Sequence, residues 1–152
     1  MQKIVPNLWF NGNAQEAVDF YVSVFSDSKI INTEYYPAST EEGLADFQQN
    51  LAGKVLTVEF EILGTRFVAI NAGPEFTFSE AVSFTVPCKD QDEIDYYWGK
   101  LSHVAESEQC GWCKDRYGLS WQVVPENMDE LMKKPGAFKT LMAQRKIVFE
   151  EY

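Results

Sequence analysis

The clearest alternation of apolar and polar residues lies in the middle of the first half of the chain. Apolar side chains occupy every second position over 56–62, Leu63-Gly64 follows, and a second apolar run covers 66–71. Period-two alternation on both sides of two turn residues predicts an antiparallel hairpin with one buried face. A two-residue turn would place Phe60 opposite Phe67.

A helical pattern precedes this hairpin. The apolar run 4–10 predicts a strand that ends at Asn11-Gly12, a strong turn dipeptide. Asn13, with Glu16 three residues later, has the spacing of a capping box. The positions i, i+3, i+4 and i+7 that follow are apolar, which predicts one helix face packed on a sheet: Ala17, Phe20, Tyr21 and Val24.

The same pattern returns in the second half. A strand is predicted over 83–86, Asp90 stands as the helix cap and Glu93 as its capping acid. The differences 90 − 13 and 93 − 16 are both 77, and the second apolar stripe repeats at the same offset: Ile94, Tyr97, Trp98 and Leu101. Later strands are predicted over 105–112 and 120–124. A duplicated unit therefore organises the chain.

This duplication predicts an α+β protein built from two βαβββ modules. The modules cover 1–72 and 81–126, C-terminal helices cover 127–152, and all of them belong to one domain, 1–152. Each sheet would expose the face opposite its helix, so joining the two sheets would form a cupped cavity for a small ligand. The pattern leaves open whether the modules pair within one chain or between two.

The segment 37–53 is polar and has no convincing period. A connection of this length in a compact domain is either a lid or interface segment, or a mobile solvent-exposed loop. The sequence leaves both interpretations open.

Net charge and cysteine content indicate which partners and which cellular compartment are expected. The net charge of −10 disfavours nucleic acid and anionic membranes as partners. No run approaches the length of a membrane span, and the N-terminal residues do not resemble a signal peptide. Three cysteines, an odd number, suit a reducing compartment, so we expect a cytoplasmic protein.

The three cysteines and the single histidine form one candidate metal site. Cys110 and Cys113 form a C-x-x-C, which with Cys88 and His103 offers the ligands of a Cys₃His zinc site. The other two ligands lack a characteristic spacing. A turn flanked by two reduced thiols is the favoured interpretation, and structural zinc is the alternative.

Three stretches resemble one family. They are LWFNGNAQEAVDFYVSVFSDSKI over 8–30, NAGPEFTFSEAVSF over 71–84 and CGWCKDRYGLSWQVVP over 110–125. Together they resemble the PhnB-like branch of the glyoxalase, or vicinal oxygen chelate, superfamily. The resemblance implies a glyoxalase/bleomycin-resistance-type cupped mixed sheet. The branch is often labelled 3-demethylubiquinone-9 3-methyltransferase, but the chain has no Gly-rich turn suited to a nucleotide-like cofactor.

Metal sites of the superfamily take His or Gln from a first strand and Glu from a last strand. In this chain only Gln122 occupies such a place, and one neutral amide is insufficient for a divalent ion. We therefore predict no metal and no other cofactor. Gln122 and Asn71 are expected instead to orient a polar group of a ligand, with Phe67 and Trp121 as apolar walls of the cup.

Several functions follow from this resemblance. The first is an enzyme of undetermined reaction on a small hydrophobic or planar metabolite, in a homodimer. The second is a non-catalytic sequestration protein of the bleomycin-resistance type, which needs the cup alone. Methyl transfer, as the family label suggests, and a structural zinc protein are the lesser alternatives.

Overall fold

The computed structural model describes residues 2–152, which form two compact units. Unit 1 extends to Thr77 and unit 2 runs from Phe78 to Tyr152. The division falls inside the Gly-Pro connector between the two predicted modules. None of the helices in residues 2–152 has the length and apolar character needed to cross a bilayer.

Unit 1 contains a four-stranded mixed sheet with one helix. Its elements are β1 (Asn7–Asn11), α1 (Ala14–Val24), β2 (Ser28–Tyr35), β3 (Val55–Ile62) and β4 (Thr65–Ala72). The strand order is β1-β4-β3-β2, with β1 parallel to β4 and the other pairs antiparallel. This is the predicted βαβββ module.

The predicted hairpin is confirmed. Phe60 pairs with Phe67, and their rings stack with centroids 5.5 Å apart. Leu63 and Gly64 have φ values of 48° and 83°, the left-handed pair that a two-residue type I′ turn requires. Helix α1 packs against β3 and β4, so alternate side chains of these strands are buried beneath it.

Unit 2 contains a smaller mixed sheet of three strands, ordered β5-β7-β6. Its elements are β5 (Ser83–Cys88), α2 (Gln91–Leu101), β6 (Trp112–Lys114), β7 (Ser120–Pro125), α3 (Met128–Leu131) and α4 (Ala137–Ala143). Strand β5 runs parallel to β7, as β1 runs parallel to β4.

The strand predicted over 105–112 is wrong for most of that range. Ala105–Ser107 is a 3-10 turn, and a single bridge joins Gln109 to Trp112. Cys110 and Gly111 have φ values of 54° and 84°, so the backbone turns there instead of extending. Within the described residues, unit 2 is therefore a βαββ module.

The duplication is confirmed, with a shift of one residue between strand and helix. Helices α1 and α2 are offset by 77 at both ends, since 91 − 14 and 101 − 24 agree. The buried strand positions Leu8 and Phe10 instead correspond to Val86 and Cys88, an offset of 78. Unit 1 has one more residue between strand and helix, and Gly12 at φ 78° takes up the extra turn.

The two helices are capped differently. Asp90 accepts a hydrogen bond from Glu93 N at 3.0 Å, as predicted for α2. The side-chain cap predicted for Asn13 is wrong, because its side chain makes no capping bond. Asn71 on β4 supplies the acceptor instead, with its Oδ1 3.1 Å from Ala14 N.

The segment 37–53 is ordered into two short 3-10 helices, Thr40–Glu42 and Asp46–Leu51. Backbone hydrogen bonds close its base, from Tyr36 N to Lys54 O and from Gly53 N to Pro37 O. Leu44 is buried within it. Backbone hydrogen bonds at its base therefore order this segment, although its sequence has no regular apolar period.

Candidate binding cavity in unit 1

Unit 1 contains a cavity of about 410 Å³. Its walls come from β1, β3 and β4, from the 46–51 turn and from the start of the connector: Trp9, Tyr36, Phe47, Gln48, Asn50, Leu51, Leu56, Ile70, Ala72, Gly73, Pro74 and Glu75. This volume lies within the range of small-molecule sites, and the walls are mainly apolar.

The floor of the cavity is the sheet face opposite α1. Strand alternation turns Phe67, Ala69 and Asn71 toward the helix, which leaves Ile70 and Ala72 on the other face. Trp9 pairs with Ile70 in the parallel register. The Trp9 Nε1 donates to Gly73 O at 2.9 Å. The indole is therefore held in place as an aromatic wall.

Tyr36 connects β4, in the floor of the cavity, to the segment 37–53. Its hydroxyl donates to Asn71 O at 2.6 Å, and the residue is 7% exposed. Burial, with a smaller contribution from Glu75, raises the pKa of Tyr36 above its ordinary value. The phenol is a neutral donor at physiological pH.

The 46–51 turn forms another wall. Gln48 Oε1 accepts from Ala45 N at 3.1 Å and caps this turn. Phe47 lines the cavity and is 82% exposed, so its ring stands at the rim. A large aromatic side chain this exposed gains apolar burial only when a ligand or another surface covers it.

Glu75 is the one charged group among the lining residues described. Its carboxylate lies against Gly73: a Cβ built on Gly73 would be 2.7 Å from Glu75 Oε2 and 2.9 Å from Oε1. That separation is too short for a real contact. The missing side chain of Gly73 thus makes room for the carboxylate.

Two of the predicted cup residues lie in unit 1, on the helix side of the sheet. Phe67 is buried against Phe60. Asn71 uses its Oδ1 to cap α1, and its Nδ2 donates to Val55 O at 2.9 Å. Neither residue is among those that line the cavity, although Asn71 anchors Tyr36 through its backbone carbonyl.

The other two predicted cup residues lie on β7 in unit 2. Gln122 Nε2 donates to Ser83 Oγ at 2.9 Å, so this amide has a protein partner. Trp121 is buried, and its Nε1 donates to Asp115 Oδ2 at 2.9 Å. These contacts hold the strand in place.

Asp115 is a buried acceptor that no sequence pattern predicted. It is 1% exposed. Besides Trp121, it accepts from Tyr117 N at 2.8 Å and from Leu119 N at 3.1 Å, both at Oδ1. These bonds close the turn before β7. The Asp-to-Gly spacing of a turn, followed by Trp, is the signal that could have identified it.

The cysteines and the histidine considered as zinc ligands do not assemble. In residues 2–152, no group of three or more His, Cys, Asp or Glu side chains is placed to hold a metal ion. Burial chiefly, with help from nearby carboxylates, raises the pKa of both Cys88 and Cys113 to about 12. Both are thus buried neutral thiols, whereas Cys110 is partly exposed.

Comparison with known proteins identifies the family. The model of the 3-demethylubiquinone-9 3-methyltransferase family matches residues 2–124. The PhnB protein from Bacillus cereus is 32% identical to this chain, with a TM-score of 0.65, over 81% of this chain and 99% of that protein. The chain belongs to this family.

More distant structures share the fold of this PhnB-like protein. A protein from Pseudomonas aeruginosa is 19% identical, with a TM-score of 0.58, over 82% of this chain and 98% of that one. The fosfomycin resistance protein FosX from Listeria monocytogenes is 14% identical, with a TM-score of 0.51, over 88% and 98%. A search of curated proteins gives no match.

The donor set of this PhnB-like chain does not fit the divalent metal site that the sequence resemblance implies. On β1 the side chains near the expected place are Asn7 and Leu8. On β4 the Asn71 amide is bonded at both of its polar atoms, and on β7 Gln122 is bonded to Ser83. Neutral amides already engaged in bonds do not make a divalent site.

Sequence patterns alone did not predict which residues of this family member line the cavity. For Trp9, alternation alone did not show that the side chain faces away from α1. Tyr36 and the 46–51 turn belong to a segment without a period, so no pattern linked them to the sheet. Their meeting depends on backbone bonds between distant residues, which sequence patterns do not report.

Proposed function

We propose that this PhnB-like protein binds a small, planar, largely apolar molecule in the cavity of unit 1. The observation that carries the proposal is a cavity of about 410 Å³ with three aromatic side chains in its walls: Trp9, Tyr36 and Phe47. Aromatic and aliphatic walls gain most from a flat apolar ligand.

The arrangement also supplies a few polar groups for orientation. Gln48, Asn50 and Glu75 lie among the lining residues. A mainly apolar site with a small number of polar groups is the usual composition of a small-molecule site. The family description refers to methyl transfer, and the binding proposed for this cavity does not depend on that reaction.

The test uses 2-naphthylmethanol, a neutral planar probe, in isothermal titration calorimetry with the full chain. We expect a dissociation constant below about 1 mM, which corresponds to roughly 4 kcal/mol of binding free energy. Ile70→Trp fills the cavity from its floor and is expected to weaken binding at least tenfold.

Val68→Trp is the matched control, because Val68 lies on the same strand and the same face but outside the lining. It should leave the affinity within about twofold of the wild type, and circular dichroism should show both variants folded. Equal weakening by the two substitutions, or no binding by the wild-type chain, contradicts the proposal.

A further inference from the structure

Resting on the proposed function, we propose that the cavity of unit 1 selects planar ligands that carry a positive charge, such as an aromatic ammonium, with Glu75 as the counter-ion. The proposal concerns the charge of the ligand, which the apolar walls alone do not decide. It comes from the kinds of side chain that surround the cavity.

The charges at the cavity have one sign. Glu75 is acidic, and among the described residues that line the cavity there is no Lys, Arg or His. The chain as a whole carries a net charge of −10. An anionic ligand would therefore enter an apolar space without a counter-ion, which is costly, whereas a cation would find a carboxylate.

The carboxylate of Glu75 is available to a ligand. No ion pair within residues 2–152 involves Glu75. Its oxygens lie beside Gly73, the residue whose carbonyl accepts from the Trp9 indole. The charge thus lies in the connector just after β4, beside the residue that holds the Trp9 indole.

Two further observations agree with this placement. The negative charge of Glu75 contributes to the raised pKa of Tyr36, so its field reaches the phenol that lines the cavity. The aromatic rings of Trp9, Tyr36 and Phe47 can also attract a cation through their electron-rich faces. A carboxylate and aromatic rings together favour an ammonium on a flat ring system over its neutral analogue.

The experiment compares three probes with the same ring: 2-naphthylmethylammonium, 2-naphthylmethanol and 2-naphthoate. Calorimetry with the full chain at pH 7 and physiological salt is expected to rank the ammonium at least tenfold tighter than the alcohol. The carboxylate is expected at least tenfold weaker than the alcohol.

Two variants test the role of Glu75. Glu75→Gln is expected to weaken binding of the ammonium until the ammonium and the alcohol bind within about twofold of each other. Gly73→Ala keeps the charge but displaces the carboxylate, and it should reduce the preference for the ammonium at least threefold. Glu41→Gln, a substitution at an exposed position outside the lining, should keep the wild-type preference.

The outcomes separate this inference from the proposed function. If the alcohol binds as tightly as the ammonium, or if Glu75→Gln retains the preference, the charge selection is wrong while the cavity still binds planar molecules. If none of the three probes binds, the proposed function fails and the inference fails with it.

Discussion

Unit 1 and unit 2 share a parallel first and last strand and a helix of equal length, yet the outer faces of their sheets differ. In unit 1 that face carries Trp9 and Ile70, which pair in register and line a cavity. At the corresponding places unit 2 has Pro87 and Val124. One topology thus supports different surfaces, and the outward side chains determine what each can bind.

The connections differ as well. Unit 1 inserts the 37–53 segment before β3, and its second 3-10 turn forms a wall of the cavity. Unit 2 places a short 3-10 turn and a left-handed bend before β6. Its buried polar interactions centre on Asp115, and those of unit 1 centre on Asn71. The comparison predicts that substitutions in one unit affect that unit alone.

The largest effect is expected from Asp115→Asn. The new amide keeps one acceptor but presents N–H groups to the Trp121 indole N–H, in a site that is 1% exposed. Hydrogen bonds to a buried charged acceptor contribute about 1.5–3 kcal/mol each, so we expect a loss of about 3 kcal/mol in urea unfolding.

Asp129→Asn, on an exposed helical position, should change the stability by less than about 0.5 kcal/mol. Affinity of unit 1 for 2-naphthylmethanol should be unchanged in Asp115→Asn under native conditions. Loss of that affinity in a folded variant would show that the units are not independent.

A smaller effect concerns pH and the thiols, all three of which lie in unit 2. Cys88 and Cys113 have folded pKa values of about 12, above the ordinary thiol value. The folded state therefore holds these protons more tightly than the unfolded state. Stability is full below about pH 8.5 and falls as pH rises toward 12.

At pH 9.5 the loss should be between about 1 and 2 kcal/mol for each thiol, measured by urea unfolding at pH 7, 8.5 and 9.5. Cys113→Ala removes one titrating group, so its stability should decline less steeply over the same range. An identical decline in the variant and the wild type would exclude this thiol as the cause. The raised pKa of Tyr36 should also make the stability of unit 1 fall with rising pH, but only above about pH 10.

The smallest of the three effects is the difference in stability cost between replacing Asn71 and replacing Asn13, both in unit 1. Asn71→Ala removes the cap of α1 and the bond to Val55 O, and we expect a loss of about 2 kcal/mol. Asn13→Ala should cost less than about 0.5 kcal/mol, because that side chain makes no capping bond. Asp90→Ala, the exposed cap of unit 2, should cost about 1 kcal/mol.

Urea unfolding of the three variants at pH 7 provides the ranking. A cost for Asn13→Ala as large as that for Asn71→Ala would mean that the local residue caps the helix in solution. In that case the contrast between the capping of the two units would disappear.

Local periodicity allowed much of the fold to be predicted. The register of Phe60 with Phe67 followed from alternation and a two-residue turn, and both helices followed from their apolar stripes. These features depend on residues close in sequence. The strand predicted over 105–112 failed because Cys110 and Gly111 adopt left-handed conformations, and only the glycine was a visible signal.

The buried polar contacts were beyond local reasoning. Asn71 and Ala14 are 57 residues apart, so no spacing rule connects the amide to the helix that it caps. Gln122 was expected to orient a ligand, and its hydrogen-bond partner Ser83 lies 39 residues away in the sequence. Such pairs become visible only when the strands are placed side by side.

The extra residue at Gly12 has a consequence for comparing the two halves of this chain. An ungapped alignment that superimposes the helices matches each inward position of β1 with an outward position of β5, because the offsets are 77 and 78. Functional residues carried from one half to the other in that way would point to the wrong face. A single gap beside the glycine restores the correspondence, and Trp9 is then matched with Pro87.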